Sequence, residues 1–356
     1  MIDISNCRLI NQQIVGSKFK QAKELVGWMG AMQAQDYAMA KWAIGIRLPN
    51  STQKEIESAM DDGQIIRTHL LRPTWHFVSS EDIYWMLELT SPQIKAAIKS
   101  SDRNLELTDD IFRKSNAVLE RSLRNNNHLS REDIISKLKE SGIDTGKNRV
   151  SHLLLRAEID GVICSGKAKA EKQTYALLAE RVLKPKTLTR DIALAELARK
   201  YSNSHCPATL HDFIWWSGLT VTESRQALEM IKSDLISETI GNQTYWFTNS
   251  FSASSQDKKV IHFIPAFDEF IISYKERKAS LPYEDHKKAV SNNGIFRPVI
   301  VLRGQVIGTW KREIRKETVI VQPSLFAPHD PAMQYKMKEA LIPYSHFIGK
   351  QTELID

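Results

Sequence analysis

The chain has 356 residues, and 49 Lys and Arg against 42 Asp and Glu give a formal charge of +7 and a pI of about 9.1. That length suffices for two or three folded units with a large core, and the basic excess favours a polyanionic partner. Cys7, Cys164 and Cys206 lie far apart, with no CxxC pair and no His/Cys cluster of metal spacing, so neither a metal nor a cofactor is expected. Neither a signal peptide nor a run of about 18 apolar residues stands in the sequence, which points to the cytoplasm and away from membranes.

In chain order, the first unit spans residues 1–95. Phe19, Ala22, Val26 and Met29 trace one face of a helix. The next position on that stripe is Gln33, a polar amide where a core residue is due. Tyr37, Ala40, Lys41 and Ile44 restart a helical period, with Asp36 placed to cap it. The spacing predicts helix, short turn, helix, with Gln33 and Gln35 in the turn. In an extended turn, residues two apart point the same way. Two carboxamides on one side offer four N–H donors and two acceptor oxygens. Such a set can orient a water or grip a base edge; the plainer reading makes Gln33 a helix cap and leaves Gln35 solvated. Residues 51–62 read as another helix, and 65–78 as strand, turn at Arg72-Pro73, strand. Arg67, His69, Arg72 and His76 make this hairpin basic when the histidines charge, although ordinary sheet histidines fit as well. Helices followed by such a hairpin outline a winged helix.

The second unit, 105–182, repeats that order: helix at 110–123, turn at 125–127, helix from Ser130 with Asp133 as capping-box partner, and helix at 148–160. Strands at 162–164 and 174–177 flank a basic tip. Lys147 and Arg149 open the third helix, and Lys167, Lys169 and Lys172 sit on the tip, where such folds meet phosphates. Winged helices also serve as interaction or scaffold modules, for which tip lysines are merely soluble. The third unit, 187–250, again gives helices (191–201, 209–217, 220–235) and a hairpin turning at Gly241-Asn242; Trp215 and Trp216 read as core rather than as a base-stacking platform. Residues 250–259 read as a polar linker. The last unit, 258–350, carries strands at 260–264, 296–303, 305–309 and 318–321, and a helix at 330–340. Its cations include Lys275, Arg277, Lys278, Lys287, Lys288, Lys311 and Arg312. Asp268 and Glu269 read as a helix N-terminus more readily than as catalytic groups. The whole is therefore expected to be α+β: three tandem winged-helix units followed by a C-terminal antiparallel β-barrel-like domain.

Four stretches, taken together, carry a resemblance: Gln33-Ala34-Gln35, LRPTWHFV at 71–78, PAFDEF at 265–270 followed by Ser273-Tyr274-Lys275, and GTWKR at 308–312. Over essentially the whole chain they resemble the AlkZ-type winged-helix DNA glycosylases. That family's motif is Gln, a hydrophobic residue, then Gln; a sister branch ends the triplet in Asp, and here Asp36 follows the second glutamine. The resemblance implies tandem winged helices and a β-barrel around a concave DNA channel, and a monofunctional glycosylase that excises N-alkylated bases such as N7-alkylguanine or unhooks interstrand crosslinks. Gln33 and Gln35 would be catalytic. His69, Arg72, His76, Lys147, Arg149, Lys167, Lys169, Lys172, Lys311 and Arg312 would contact DNA. The partner would be double-stranded DNA with alkylated bases, met by a cytoplasmic, nucleoid-associated monomer. The competing reading is a winged-helix DNA-binding regulator without catalysis. Regulators usually dimerise on palindromes, and no stretch reads as a dimerisation helix.

Overall fold

The computed structural model describes residues 2–169, 172–184, 187–248, 260–328 and 332–355. The linker expected at 250–259 and the helix start at Asp330 lie outside these residues. The fold is mixed α+β, and among the described residues the strands form four sheets. β1 (Ala31–Gln33), β2 (Ile65–Leu70) and β3 (Thr74–Ser79) form a first sheet in the order β1-β3-β2, antiparallel throughout. β4 (Leu129–Ser130), β5 (Ile163–Ser165) and β6 (Thr174–Leu177) form a second, in the order β4-β6-β5; β7 (Leu235–Ile240) pairs with β8 (Gln243–Thr248). β9 (Ile261–Ile264), β10 (Val299–Leu302), β11 (Gln305–Ile314), β12 (Thr318–Leu325) and β13 (Gln351–Leu354) make a five-stranded, curled half-barrel. The last sheet was expected to be antiparallel. It is so except at its edge, where β13 runs parallel to β12 after a return through the helices Ala332–Ala340 and Ile342–Ile348.

The helix expected before Gln33 is Ala22–Met29 and the one after is Tyr37–Gly45, where the Asp36 carboxylate accepts the Met39 N–H at 3.0 Å. Between them the expected turn is reached only at Gln35, in a bend, while Gln33 lies on a short strand. Gly30 ends the helix, and β1 adds itself to the edge of the β2–β3 hairpin, with Gln33 opposite His76. A stripe that looked like helix carried past its cap is in fact period-2 backbone, with all three β1 residues buried. Alternation then divides the first sheet between two cores. Met32, Ile65 and Phe77 join Trp42, Phe263, Trp310 and Tyr344. Ala31, Ile66 and Val78 face Trp85, Leu197, Tyr201, Trp216 and Tyr274. Gln33 therefore lies where the C-terminal half-barrel and the helices of residues 190–217 both meet the first sheet.

The helix Ile83–Asn104 was not read from the sequence. It runs through residue 95, and its Ile94 and Ile98 pack on Leu155 and Ile159 of the helix Arg149–Ile159.

Candidate active site

Three backbone groups of the Gln33-Ala34 step are held. The Gln33 N–H donates to Glu269 Oε1 at 2.6 Å, the Ala34 N–H donates to the Trp75 carbonyl at 2.7 Å, and the Ala34 carbonyl accepts from Arg67 Nε at 3.1 Å and Nη2 at 3.0 Å. Ala34 is fully buried, so a larger middle residue would have to displace core side chains. The Gln33 side chain is also buried, and its Oε1 accepts from Arg72 Nη2 at 2.9 Å. Gln35 is exposed. The two amides therefore differ in depth: one is locked into the protein and the other meets solvent.

Glu269 is the buried charge behind this strand. It lies at the start of the short helix Glu269–Ile272, 1 % exposed, and accepts from Gln33 N, from Trp216 Nε1 at 3.2 Å and from the Ser273 hydroxyl, with His205 Nε2 at 3.5 Å. Burial alone would raise its pKa. The His205, Ser273 and Gln33 contacts outweigh that and hold it down at about 2, so it stays an anion at neutral pH. His205 is itself kept below its usual range by burial, against the pull of Glu269. Asp268, beside it, is a different element of structure: it takes Arg47 in a bidentate pair at 2.7 Å and 2.7 Å and caps the helix through Phe270 N at 2.9 Å. The helix N-terminus reading thus holds for Asp268, whereas Glu269 faces the glutamine strand.

Arg72 and His76 flank Gln33. Arg72, at the tip of the β2–β3 hairpin, is half-buried; it donates to Gln33 and, at 3.4 Å, to the Trp215 carbonyl. Burial lowers its pKa, opposed by the Glu269 charge. His76 is fully buried, with Nδ1 at 2.9 Å from the Thr74 carbonyl. Burial, then the neighbouring Arg72, push its pKa down to about 3. It is neutral, so it supplies no charge to a phosphate, contrary to the sequence expectation. His69 also departs from it. It is buried on β2, its N–H and Nδ1 are both directed to Glu158, and its ring lies 4.5 Å from that of Trp75. A buried, paired imidazole has no free face for DNA; it ties the first sheet to the helix Arg149–Ile159.

The remaining expected DNA contacts fall into two groups. Lys147, Lys167, Lys169, Lys172 and Lys311 are exposed, with the Lys169 Nζ donating to the His128 carbonyl at 2.6 Å and Lys169 and Lys172 pairing across the tip. Arg149 and Arg312 are half-buried and already occupied: Arg149 donates to the carbonyls of Leu105 and, at 3.1 Å, Asp144, and Arg312 to the Tyr344 hydroxyl. Those two are not among the charges a phosphate meets without competition. Sequence reasoning passed over Arg67, Glu269, His205, Ser273 and Trp216 as site residues. PAFDEF was the signal for Glu269, but distance along the chain hid its contact with Gln33, 236 residues away. Trp216 is core as expected, while Trp215 is only half-buried. Among the described residues no group of His, Cys, Asp and Glu could hold a metal ion.

The family model of AlkZ-like DNA glycosylases matches residues 26–347. A solved structure, the Streptomyces sahachiroi DNA glycosylase AlkZ, superposes with a TM-score of 0.81 over 99 % of this chain and 98 % of that one, at 18 % sequence identity. No curated protein sequence matches significantly.

Proposed function

The chain belongs to the AlkZ-like DNA glycosylase family, a family of DNA-repair hydrolases, and we propose that it is a monofunctional enzyme for cationic N-alkylated bases, N7-alkylguanine above all. Its partner is double-stranded DNA, which it meets as a monomer. The helix-then-hairpin order of residues 109–177 and 190–248 supports reading these segments as winged helices that wall the DNA path. A wall of that kind, open rather than a tight base pocket, also suits crosslinked substrates that cannot be flipped fully out.

The chemistry follows from what the side chains cannot do. Alkylation at N7 gives guanine a formal positive charge, so the base leaves as a neutral molecule and needs no proton from a general acid. His76 is neutral with little basicity and Glu269 is sealed from solvent, so neither is placed to exchange protons with a substrate. What remains is to position a water against an oxocarbenium-like sugar, and amides do this by hydrogen bonding alone. Gln33 is the fixed member, its oxygen turned by Arg72. Gln35 is the exposed member that meets the substrate. The observation that carries this reading is the four-point anchoring of Gln33-Ala34 beside an exposed Gln35, because water placement demands a rigid frame. A duplex carrying one N7-methylguanine tests it. Incubation followed by alkaline strand scission is expected to give cleavage at that position; folded protein in excess that yields only the spontaneous rate refutes the substrate assignment. The regulator weighed from sequence gives way to membership in an enzyme family.

A further inference from the structure

Trp215 gathers cations. Its ring centroid lies 5.0 Å from Lys275 Nζ, 5.4 Å from the Arg277 guanidinium carbon and 5.5 Å from that of Arg72. Separate bonds fix each member. The indole N–H donates to the Ile272 carbonyl at 2.7 Å, and Arg277 Nε donates to the Ile271 carbonyl at 3.1 Å. Asp212 Oδ1 accepts the N–H groups of Lys275 and Glu276 at 2.8 Å and 3.1 Å. Arg72 is held on Gln33.

Glu269 and Asp212 act on Arg72 and Arg277 only at a distance, and no carboxylate pairs with these cations directly. Among the described residues none of the three cations forms an ion pair within 4.0 Å. Asp212 serves main-chain amides and Arg8, at 3.7 Å; Glu269 is enclosed by Gln33, Trp216 and Ser273; Glu276 accepts from the Lys278 N–H. Two buried nitrogens of the cluster, Arg72 Nε and Arg277 Nη2, have no acceptor. An indole face attracts a cation but does not neutralise three, and a buried donor without an acceptor is costly. We infer that this cluster is the seat of one DNA backbone phosphate beside the excised nucleotide, with Arg72 linking that phosphate to Gln33. A phosphodiester supplies the charge and the acceptor oxygens that the cluster lacks, and a fork of guanidinium groups is the geometry that grips it. Docking the backbone there would set the register of the lesion against Gln33. This rests on the glycosylase reading above.

The test uses duplexes with 2′-fluoro N7-methyldeoxyguanosine, which resists hydrolysis, and a single methylphosphonate moved over the three phosphates on each side of the lesion. Wild type is expected to lose about tenfold in affinity at one position. Lys275→Ala, an exposed substitution, is expected to weaken binding of the all-phosphate duplex about tenfold, to lower the salt slope by about one, and to be indifferent to methylphosphonate at that same position. Arg277→Gln should repeat the pattern. Additive losses at every position, or unchanged binding by both variants, overturn the assignment. A melting-temperature rise with inorganic phosphate that Lys275→Ala abolishes, without coupling to any methylphosphonate, assigns the cluster to free phosphate and also overturns it. Excision of ordinary N7-methylguanine by wild type is run alongside, so a failed glycosylase reading is seen independently of the phosphate result.

Discussion

Gln33 and Gln35 are chemically identical and energetically unlike. Gln33→Ala removes the acceptor of a half-buried Arg72 Nη2, and a buried donor left unpaired costs about 1–3 kcal/mol. Gln35→Ala removes an exposed amide, which is near neutral for folding. If both amides place the water, each substitution should cut single-turnover excision by about 10- to 1000-fold. Only Gln33→Ala should also lower the melting temperature. Full activity in the double variant would end the catalytic assignment, whatever its affinity for DNA. The next side chain along this row titrates. His76 has a folded pKa of about 3 against an ordinary 6.5, so the unfolded chain takes up the proton first. Its neutral form is no burden above pH 6.5, and stability is lost as pH falls from there toward 3. His262, lowered by burial to about 4, adds its own loss between pH 6.5 and 4, and His205, also lowered by burial, acts in the same direction. Glu269, lowered to about 2 from 4.5, adds its loss only between pH 4.5 and 2. Urea midpoints at pH 7.0, 5.5 and 4.8 should therefore fall less steeply for His76→Gln than for wild type. Equal slopes would mean that His76 is solvated or charged in the native protein.

The β2–β3 turn is the element that delivers Arg72, and the helix Leu210–Ser217 presses on it. Gly218, which closes that helix with φ +70°, is where the two meet: a Cβ there would lie 2.3 Å from the Leu71 carbonyl oxygen. Gly241, in the β7–β8 turn at φ +61°, has nothing within 4 Å of such a Cβ. Gly241→Ala should cost only the left-handed strain, about 1–2 kcal/mol. Gly218→Ala should cost more than that and should also reduce excision, since relief of the clash displaces the turn bearing Arg72. Thermal melts and excision rates of the two variants decide it; equal behaviour would show that the turn does not transmit to Gln33. Elements of this sort explain what the sequence could disclose. Local signals were readable because their causes are local: the Asp36 cap, the Ser130–Asp133 capping box and the Gly241-Asn242 hairpin all form within a few residues. β1 was not, since a three-residue strand has too few positions to separate period 2 from a helical stripe, and its partner lies some 45 residues on. β13 is an edge strand paired across a two-helix return, and no hairpin turn announces it. Glu269 stood in view within PAFDEF, but its burial and its hydrogen bond to Gln33 are products of tertiary packing alone.

Across the whole molecule the charge of +7 is unevenly committed. Some cations are spent inside: Arg47 on Asp268, Arg8 near Asp212, Arg67 on the Ala34 carbonyl and Gln173. Others stand in solvent, Lys147 and Lys167 among them. Counterion release depends only on charges that reach phosphate, so net charge is a poor guide to the number of DNA contacts. The contrast between Lys147 and Arg149, two residues apart, puts this to measurement. Lys147→Ala should lower the slope of log affinity against log salt by about one, weaken binding alike across unrelated sequences, and leave the melting temperature unchanged. Arg149 donates to the carbonyls of Leu105 and Asp144 and pairs with the Asp144 carboxylate at 3.5 Å. Its guanidinium joins the start of its own helix to the loop before it and to the end of Ile83–Asn104. Arg149→Ala should therefore lower the melting temperature, with a loss of about 1–3 kcal/mol from the unpaired carbonyls, and change the salt slope by well under one. The two substitutions remove the same charge from neighbouring positions, so any difference between them reports contact rather than net charge. A full unit of slope lost in Arg149→Ala with stability intact would mean that the arginine leaves its carbonyls for DNA, and the division between committed and available cations would have to be redrawn.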